Sequence, residues 1–422
     1  MMVSRRALIG GAATFALIPP ARGAARELAA ALDAAAAERD PARALRLLGG
    51  FDAHRLAGSA RLDLLTARGG LATDAAIIAR FGVDPRDKVV IGGNRALYDL
   101  LLQRKLGPHP GVEAIDARLA AEQQRVTAAA MRLFDGLGGG AGAVGERYIR
   151  LWNDPAQRYP DSEAGRDRAV SDMNRTLAHL RGLVPALTGA IPGYCLDVSA
   201  SQGSVADQAV ADQAVADQAV GKVGVRTLPT PDRPGAYVVD LARLHDRPRW
   251  TLPSVVAHEL LPGHMIQMPM EVAARPHKLR LDYAPAFPEG WGIHAERMVA
   301  EAGTWAGDPH AQLGYLHWRL FRLTRARVDI GLHCLGWSVD TARRRLVEWQ
   351  GEPAYFAPFE RDLPRIMADP ATRAAEMLVA LTLGGRTDRA GGGRALRFAQ
   401  AMLVDGRMRI DEINARLAQT GW

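Results

Sequence analysis

The segment His258-Glu259-Leu260-Leu261-Pro262-Gly263-His264 restricts the fold more than any other stretch of the chain. Its two histidines stand six residues apart, which on a continuous helix of 3.6 residues per turn places them about 120° apart, on different faces. Pro262 lacks an amide hydrogen and opposes the turn before it, and Gly263 accepts backbone angles that other residues resist. A helix carrying His258 must therefore end or kink before His264, and such a break can swing the second imidazole back beside the first. The competing reading is two ordinary polar residues flanking a helix break.

Glu289-Gly290-Trp291, downstream, bears on that choice. Ser254–Leu261 reads as the start of an apolar, buried helix, and Pro288–Ala302 as a second helix opened by proline in its first turn. Two packed helices donating His, His and Glu would form a three-ligand site with a position open to water, and imidazole nitrogen with carboxylate oxygen suits Zn²⁺. Glu259, beside the first histidine, can serve as general base. The pattern predicts His258, His264 and Glu289 as metal ligands, Glu259 as a catalytic residue, and a zinc-dependent hydrolase cleaving peptide bonds. A metal-dependent amidase acting on a non-peptide or cell-wall amide would use the same residues. A non-catalytic periplasmic metal-binding protein is the third reading, although structural zinc usually has four protein ligands and no neighbouring base.

Four ordered segments, Arg233–Asp240, His258–Gln267, Glu289–Glu296 and Arg327–Trp337, resemble the bacterial family called domain of unknown function 885. The resemblance covers roughly the last two thirds of the chain and, weakly, the helical part before it. It implies a mostly helical, zincin-like fold with peptidase activity, His258, His264 and Glu289 as metal ligands, and Glu259 as base. Two positions depart from the family pattern. Met265 stands where members often carry a further histidine, which simplifies the ligand choice to His264, and no tyrosine occurs between Pro370 and Arg386 where members usually have one.

At the amino terminus, Arg5-Arg6 precede an apolar stretch from Ala7 to Ile18, then Pro19-Pro20 and the small-residue segment Ala21–Ala24. These are the parts of a signal peptide of the twin-arginine type, spanning residues 1–24, and they predict a periplasmic or exported protein. The apolar stretch is shorter than the ~20 residues that span a bilayer, so stable membrane insertion is not expected. Removing Arg5, Arg6 and Arg22 with no acids would lower the formal charge from +7 to +4, too little to argue for a nucleic-acid partner without a basic run interleaved with aromatics. Cys195 and Cys334 lack metal or redox spacing; an oxidising compartment would allow them to pair, and two buried free thiols are the other possibility.

Hydrophobic residues make up 48% of the chain, enough for a large core. Apolar residues recur at three- and four-residue intervals in Val112–Leu133, Arg166–Leu183, His310–Leu335, Val339–Gln350 and Arg394–Val404, so the body is expected to be mainly α. A glycine-rich break at Gly136–Ala143 and a loop at Pro155–Gly165 interrupt the helices. The expected organisation is an amino-terminal helical region over 25–190, an insertion over 191–230 and a metal-site catalytic region over 231–422, with 25–422 forming one unit around a cleft. Val205–Val220 holds three copies of Ala-Asp-Gln-Ala-Val, whose period of five advances about 140° per copy on a helix and holds no single face. It reads as a surface insertion or a short solvent-edge helix. Gly235–Leu241, rich in β-formers, reads as a small β element before the His-Glu helix. It would offer an unpaired edge to an extended peptide, or else close the core as a hairpin strand.

A developing oxyanion needs an electrophile besides the metal, and His333, on a helix in the family-like Asp329–Trp337 segment, is the expected catalytic partner. Glu296 lies seven residues after Glu289, on nearly the same helical face, and is either a residue that orients a ligand histidine or an alternative third ligand. Arg327 and Asp329 are further candidate orienters, with an ordinary ion pair as the competing account.

Overall fold

Most of the chain obeys the helical apolar spacing. The computed structural model describes residues 20–203, 224–351, 359–387 and 392–419. Residues 1–19 of the expected signal segment and the pentapeptide copies lie outside the described residues. The amino-terminal half is built from α1 (Pro20–Ala37), α2 (Pro41–Leu48), α3 (Gly58–Phe81), α4 (Arg95–Leu106), α5 (Val112–Gly136), α6 (Val144–Asn153) and α7 (Glu163–Thr188). Helix starts follow local chemistry. Asp40, Asn94 and Ser162 each accept a backbone N–H of the first turn, satisfying donors that have no partner within the helix. Along α5 the side chains of Val112, Ile115, Leu119, Val126, Ala130 and Phe134 are buried, one stripe facing the core.

Three short strands follow: β1 (Val198–Gln202), β2 (Gly224–Thr227) and β3 (Gly235–Val239). Their order is β1-β3-β2. β3 pairs in parallel with β1 from Val198↔Gly235 to Gln202↔Val239, and antiparallel with β2 from Gly224↔Val239 to Thr227↔Ala236. The Gly235 strand is thus the centre of a sheet, paired on both sides, and the expectation of an unpaired edge there is corrected. The outer edge of β1 is also occupied. Asn174 of α7 accepts from the Ala200 amide at 2.9 Å and donates to its carbonyl at 2.8 Å, and Arg181 donates to the Val198 carbonyl at 2.7 Å.

The carboxy-terminal half comprises α8 (Leu252–Glu259), α9 (His264–Ala274), α10 (Lys278–Tyr283), α11 (Phe287–Glu301), α12 (Pro309–Cys334), α13 (Val339–Gln350), α14 (Phe359–Ala368), α15 (Thr372–Thr387), α16 (Gly392–Leu403) and α17 (Ile410–Gln419). Asp308 caps α12 by accepting from the amides of His310 and Ala311, with Pro309 at the first turn. α12 packs against α5, α13 and α15, and α15 against α11. One hydrophobic core runs through both halves, with members from Leu62 to Leu417, so the helical regions before and after the sheet share a single interior. A satellite cluster joins α1, α2 and α3 to Leu279 and Tyr283 of α10. Cys195 and Cys334 are both free thiols. Among the described residues no helix is long and apolar enough to cross a membrane.

Candidate metal centre

α8 ends at Glu259 because the following residues cannot extend it. The Leu261–Pro262 peptide is cis, Leu260 and Gly263 adopt non-helical backbone angles, and α9 begins at His264. The buried Trp291 of α11 fixes the turn by donating its indole N–H to the Pro262 carbonyl at 3.1 Å. Gly263 is required by packing, since a β-carbon there would stand 1.9 Å from the His258 carbonyl oxygen. The break places the imidazoles of His258 and His264 with ring centroids 4.8 Å apart and planes perpendicular. Glu289, in the first turn of α11, completes the cluster. His258 Nε2 lies 3.4 Å from Glu289 Oε1, and His264 Nε2 lies 3.7 Å from Glu289 Oε2.

These separations fit a small divalent cation. Ligand atoms bonded at about 2.1 Å to a tetrahedral ion stand roughly 3.4 Å from one another. One ligand atom from each of the three residues lies within 4.8 Å of the others, so small side-chain rotations close the set. Both histidines are buried, while the Glu289 side chain is 35% exposed and gives the cluster an open side. The charges divide the two histidines: burial opposes a charge on His258, yet Glu289 and Glu296 outweigh it and raise its pKa. Burial opposes ionisation of Glu289, but His258, His264 and Arg322 outweigh it and hold the carboxyl well below its usual range. Burial, reinforced by the Arg226 cation, pushes His264 down to about 3, keeping the imidazole neutral as a metal ligand requires.

Glu296, two turns along α11 from Glu289, has a different task. Its Oε1 stands 2.8 Å from His258 Nδ1, and its Oε2 accepts from the Ser254 hydroxyl. It thereby turns His258 Nε2 toward Glu289, the arrangement by which an outer carboxylate orients a metal-ligating histidine. Of the two roles open to Glu296, orientation is the one the geometry displays. Gly292 lets α11 approach this close, since a β-carbon there would meet His258 Cε1 at 2.6 Å.

Two arginines that carry no motif complete the site. Arg322 of α12 reaches Glu289 Oε1 and Glu296 Oε1, each at 3.4 Å, and its Nη2 lies 3.2 Å from His258 Nδ1. Its guanidinium also lies over the Trp318 ring, 5.7 Å from the centroid. On the other side, Arg226 of β2 pairs with Glu259 Oε2. The one sequence signal for Arg322 is an arginine set among the apolar residues Leu320, Phe321 and Leu323; for Arg226 there is none. A small cleft of about 40 Å³ adjoins His258, Glu259, Glu296 and Arg322, with Trp152, Tyr237 and Trp318 among its walls.

His333 does not join this constellation. It sits eleven residues beyond Arg322 on α12, roughly 16 Å along the axis at 1.5 Å per residue. There its Nε2 lies 3.1 Å from the Ile366 carbonyl and its ring stacks on Tyr98. The expectation that it stabilises an oxyanion is corrected, because it belongs to the far end of the helix that delivers Arg322. Arg327 and Asp329 are equally remote in function. Asp329 accepts amide hydrogens from Ala371, Arg373 and Ala374 at the start of α15, and Arg327 bonds to Asp116 and Gln123 of α5. Met265 is wholly buried in the core.

The chain resembles two solved structures. Over 89% of its length it superposes with a TM-score of 0.66 on a candidate lipoprotein from Colwellia psychrerythraea at 22% identity, spanning 66% of that protein. The second, a candidate lipoprotein of unknown function from Shewanella oneidensis, matches 89% of the chain with a TM-score of 0.62 at 15% identity, and 69% of that protein is spanned. At these identities the likeness establishes the fold. No curated protein matches the chain. The family model described as bacterial protein of unknown function, DUF885, matches residues 10–377.

Proposed function

We propose that this chain, which belongs to the bacterial DUF885 family, is a zinc-dependent hydrolase of peptide bonds with a zincin-like centre, exported to the periplasm by its first 24 residues. The observation that carries the reading is the convergence of His258, His264 and Glu289, with Glu296 holding His258 in register and Glu259 following directly in sequence. A zinc ion on these ligands would supply Lewis acidity, polarising the scissile carbonyl and acidifying a water. Glu259, beside the cleft, takes the proton of the attacking water and passes it to the leaving amine. Arg322 takes the part first expected of His333, offering a guanidinium to the negative charge that develops on the carbonyl oxygen. The cleft walls Trp152, Tyr237 and Trp318 receive the substrate's apolar surface.

Metal analysis and digestion of a mixed peptide library by the mature protein, with Glu259→Gln as the paired control, test the proposal. About one zinc per chain in both proteins, with cleavage by the parent alone, is the expected result. Zinc in both without peptide cleavage would redirect the search to non-peptide amides or to a binding role, and absence of zinc from both would overturn the centre itself.

A further inference from the structure

The general base is not free in this structure: Arg226 holds it. Among the described residues Glu259 is the hydrogen-bonding partner of the Arg226 guanidinium, whose side chain is 28% exposed. Arg226 faces Tyr237 across the β2–β3 pair, which sends both side chains to the same face of the sheet, and Tyr237 lines the cleft with His258 and Glu259. Gly224, at the start of β2, leaves room for the Tyr237 ring, since a β-carbon there would lie 2.5 Å from it. The sheet therefore holds a guanidinium on Glu259, a residue that borders the cleft.

Building on the hydrolase reading, we infer that Arg226 is a specificity-determining residue that grips the free carboxylate at a peptide's carboxy terminus, so that the protein releases single residues from that end. Three lines of reasoning support it. The Arg226 guanidinium spends Nη1 on Glu259, and the group best suited to share its remaining donors, or to draw it away, is a second carboxylate held bidentately. The charges agree, because Glu259, Glu289 and Glu296 against Arg226, Arg322 and a dication leave one net positive charge for an anionic substrate end to neutralise. Distance selects the terminal residue. Arg226 touches the residue that must reach the attacking water, which places its guanidinium within about 6 Å of the scissile carbonyl. Since successive Cα atoms are 3.8 Å apart, that span accommodates one residue and no more.

The test uses full-length mature protein loaded with zinc and pairs of N-acetylated peptides identical except for a free or an amidated carboxy terminus. The free acid should be favoured about 10- to 100-fold in kcat/KM, chiefly through KM, with single amino acids as products by mass spectrometry. Arg226→Ala should abolish that preference with zinc content unchanged, and Arg226→Lys should restore part of it. Equal cleavage of the two peptides, or a preference that survives in Arg226→Ala, would overturn the inference while leaving the hydrolase reading intact. So would a preference that follows internal Asp or Glu in amidated peptides. Equilibrium binding of the same pairs to the parent and to Arg226→Ala reads the preference without turnover; equal affinities for acid and amide overturn it whatever the hydrolysis assay shows.

Discussion

Replacing Glu296 by glutamine keeps the side chain's shape and removes its charge, which makes it a direct probe of how the centre is organised. Glu296 Oε1 lies 2.8 Å from His258 Nδ1. Adding about 2.2 Å across the ring and about 2.1 Å for a metal–nitrogen bond puts the carboxylate roughly 7 Å from an ion ligated by Nε2. At an effective dielectric of about 20, one negative charge at that distance attracts a dication by about 5 kcal/mol, a ceiling because Arg322 is close enough to offset part of it. The floor is the loss of orientation alone, since disrupting such outer partners typically lowers metal affinity 10- to 100-fold, about 1.4–2.7 kcal/mol. Competition with a chromogenic chelator would measure zinc affinity in the parent and in Glu296→Gln, with thermal unfolding of both metal-free proteins as the check on folding. A weakening of at least about 10-fold is expected. Affinities within a factor of two, in a variant that folds normally, would refute the claim that Glu296 fixes the ligand set.

Two further substitutions probe independent parts of the argument. Gly292→Ala places a methyl group 2.6 Å from His258 Cε1 on a helix pinned by the buried Trp291, so it should lose most of its zinc by metal analysis while retaining its helical circular dichroism; stoichiometric zinc would contradict the packing argument. Burial pushes His317, enclosed by Tyr148, Trp152 and Trp250, down to about 3, below its unfolded value of 6.5. Its stabilising contribution is therefore complete above pH 6.5 and lost as the pH falls toward 3, at about 1.4 kcal/mol per pH unit, so His317→Phe should flatten the urea-unfolding pH dependence between pH 6 and 4 by about that slope, and an unchanged slope would refute it.

What the sequence discloses about this molecule follows the range of the forces involved. The helices over Val112–Gly136 and Pro309–Cys334 are visible as apolar periodicity because a helix's buried face is written into residues three and four apart. The helix break is visible too, since Pro262 and Gly263 act on their own backbone. By the same local logic Glu289 and Glu296 fall on one face of α11. Two errors have a non-local cause. The central position of β3 depends on partners from either side of the repeat segment, which no alternation within Gly235–Leu241 can reveal. His333 and Arg322 share one helix, and which end of a 26-residue helix meets the site is decided by how α12 crosses α8 and α11. Arg226 was illegible for a related reason, because its partner Glu259 is brought to it by the sheet and not by any pattern around residue 226.

The register of the small sheet also settles how the repeat segment is tethered. Gln202, which ends β1, and Gly224, which opens β2, both stand opposite Val239, one on each side of β3. Their attachment points are two strand spacings apart, roughly 10 Å, a gap that about three extended residues would bridge. Closing the sheet therefore needs no more than about three residues between Gln202 and Gly224. β3 thus fixes both attachment points and the place of Arg226 in the sheet, and a chain one Ala-Asp-Gln-Ala-Val copy shorter still has more residues between them than that span requires.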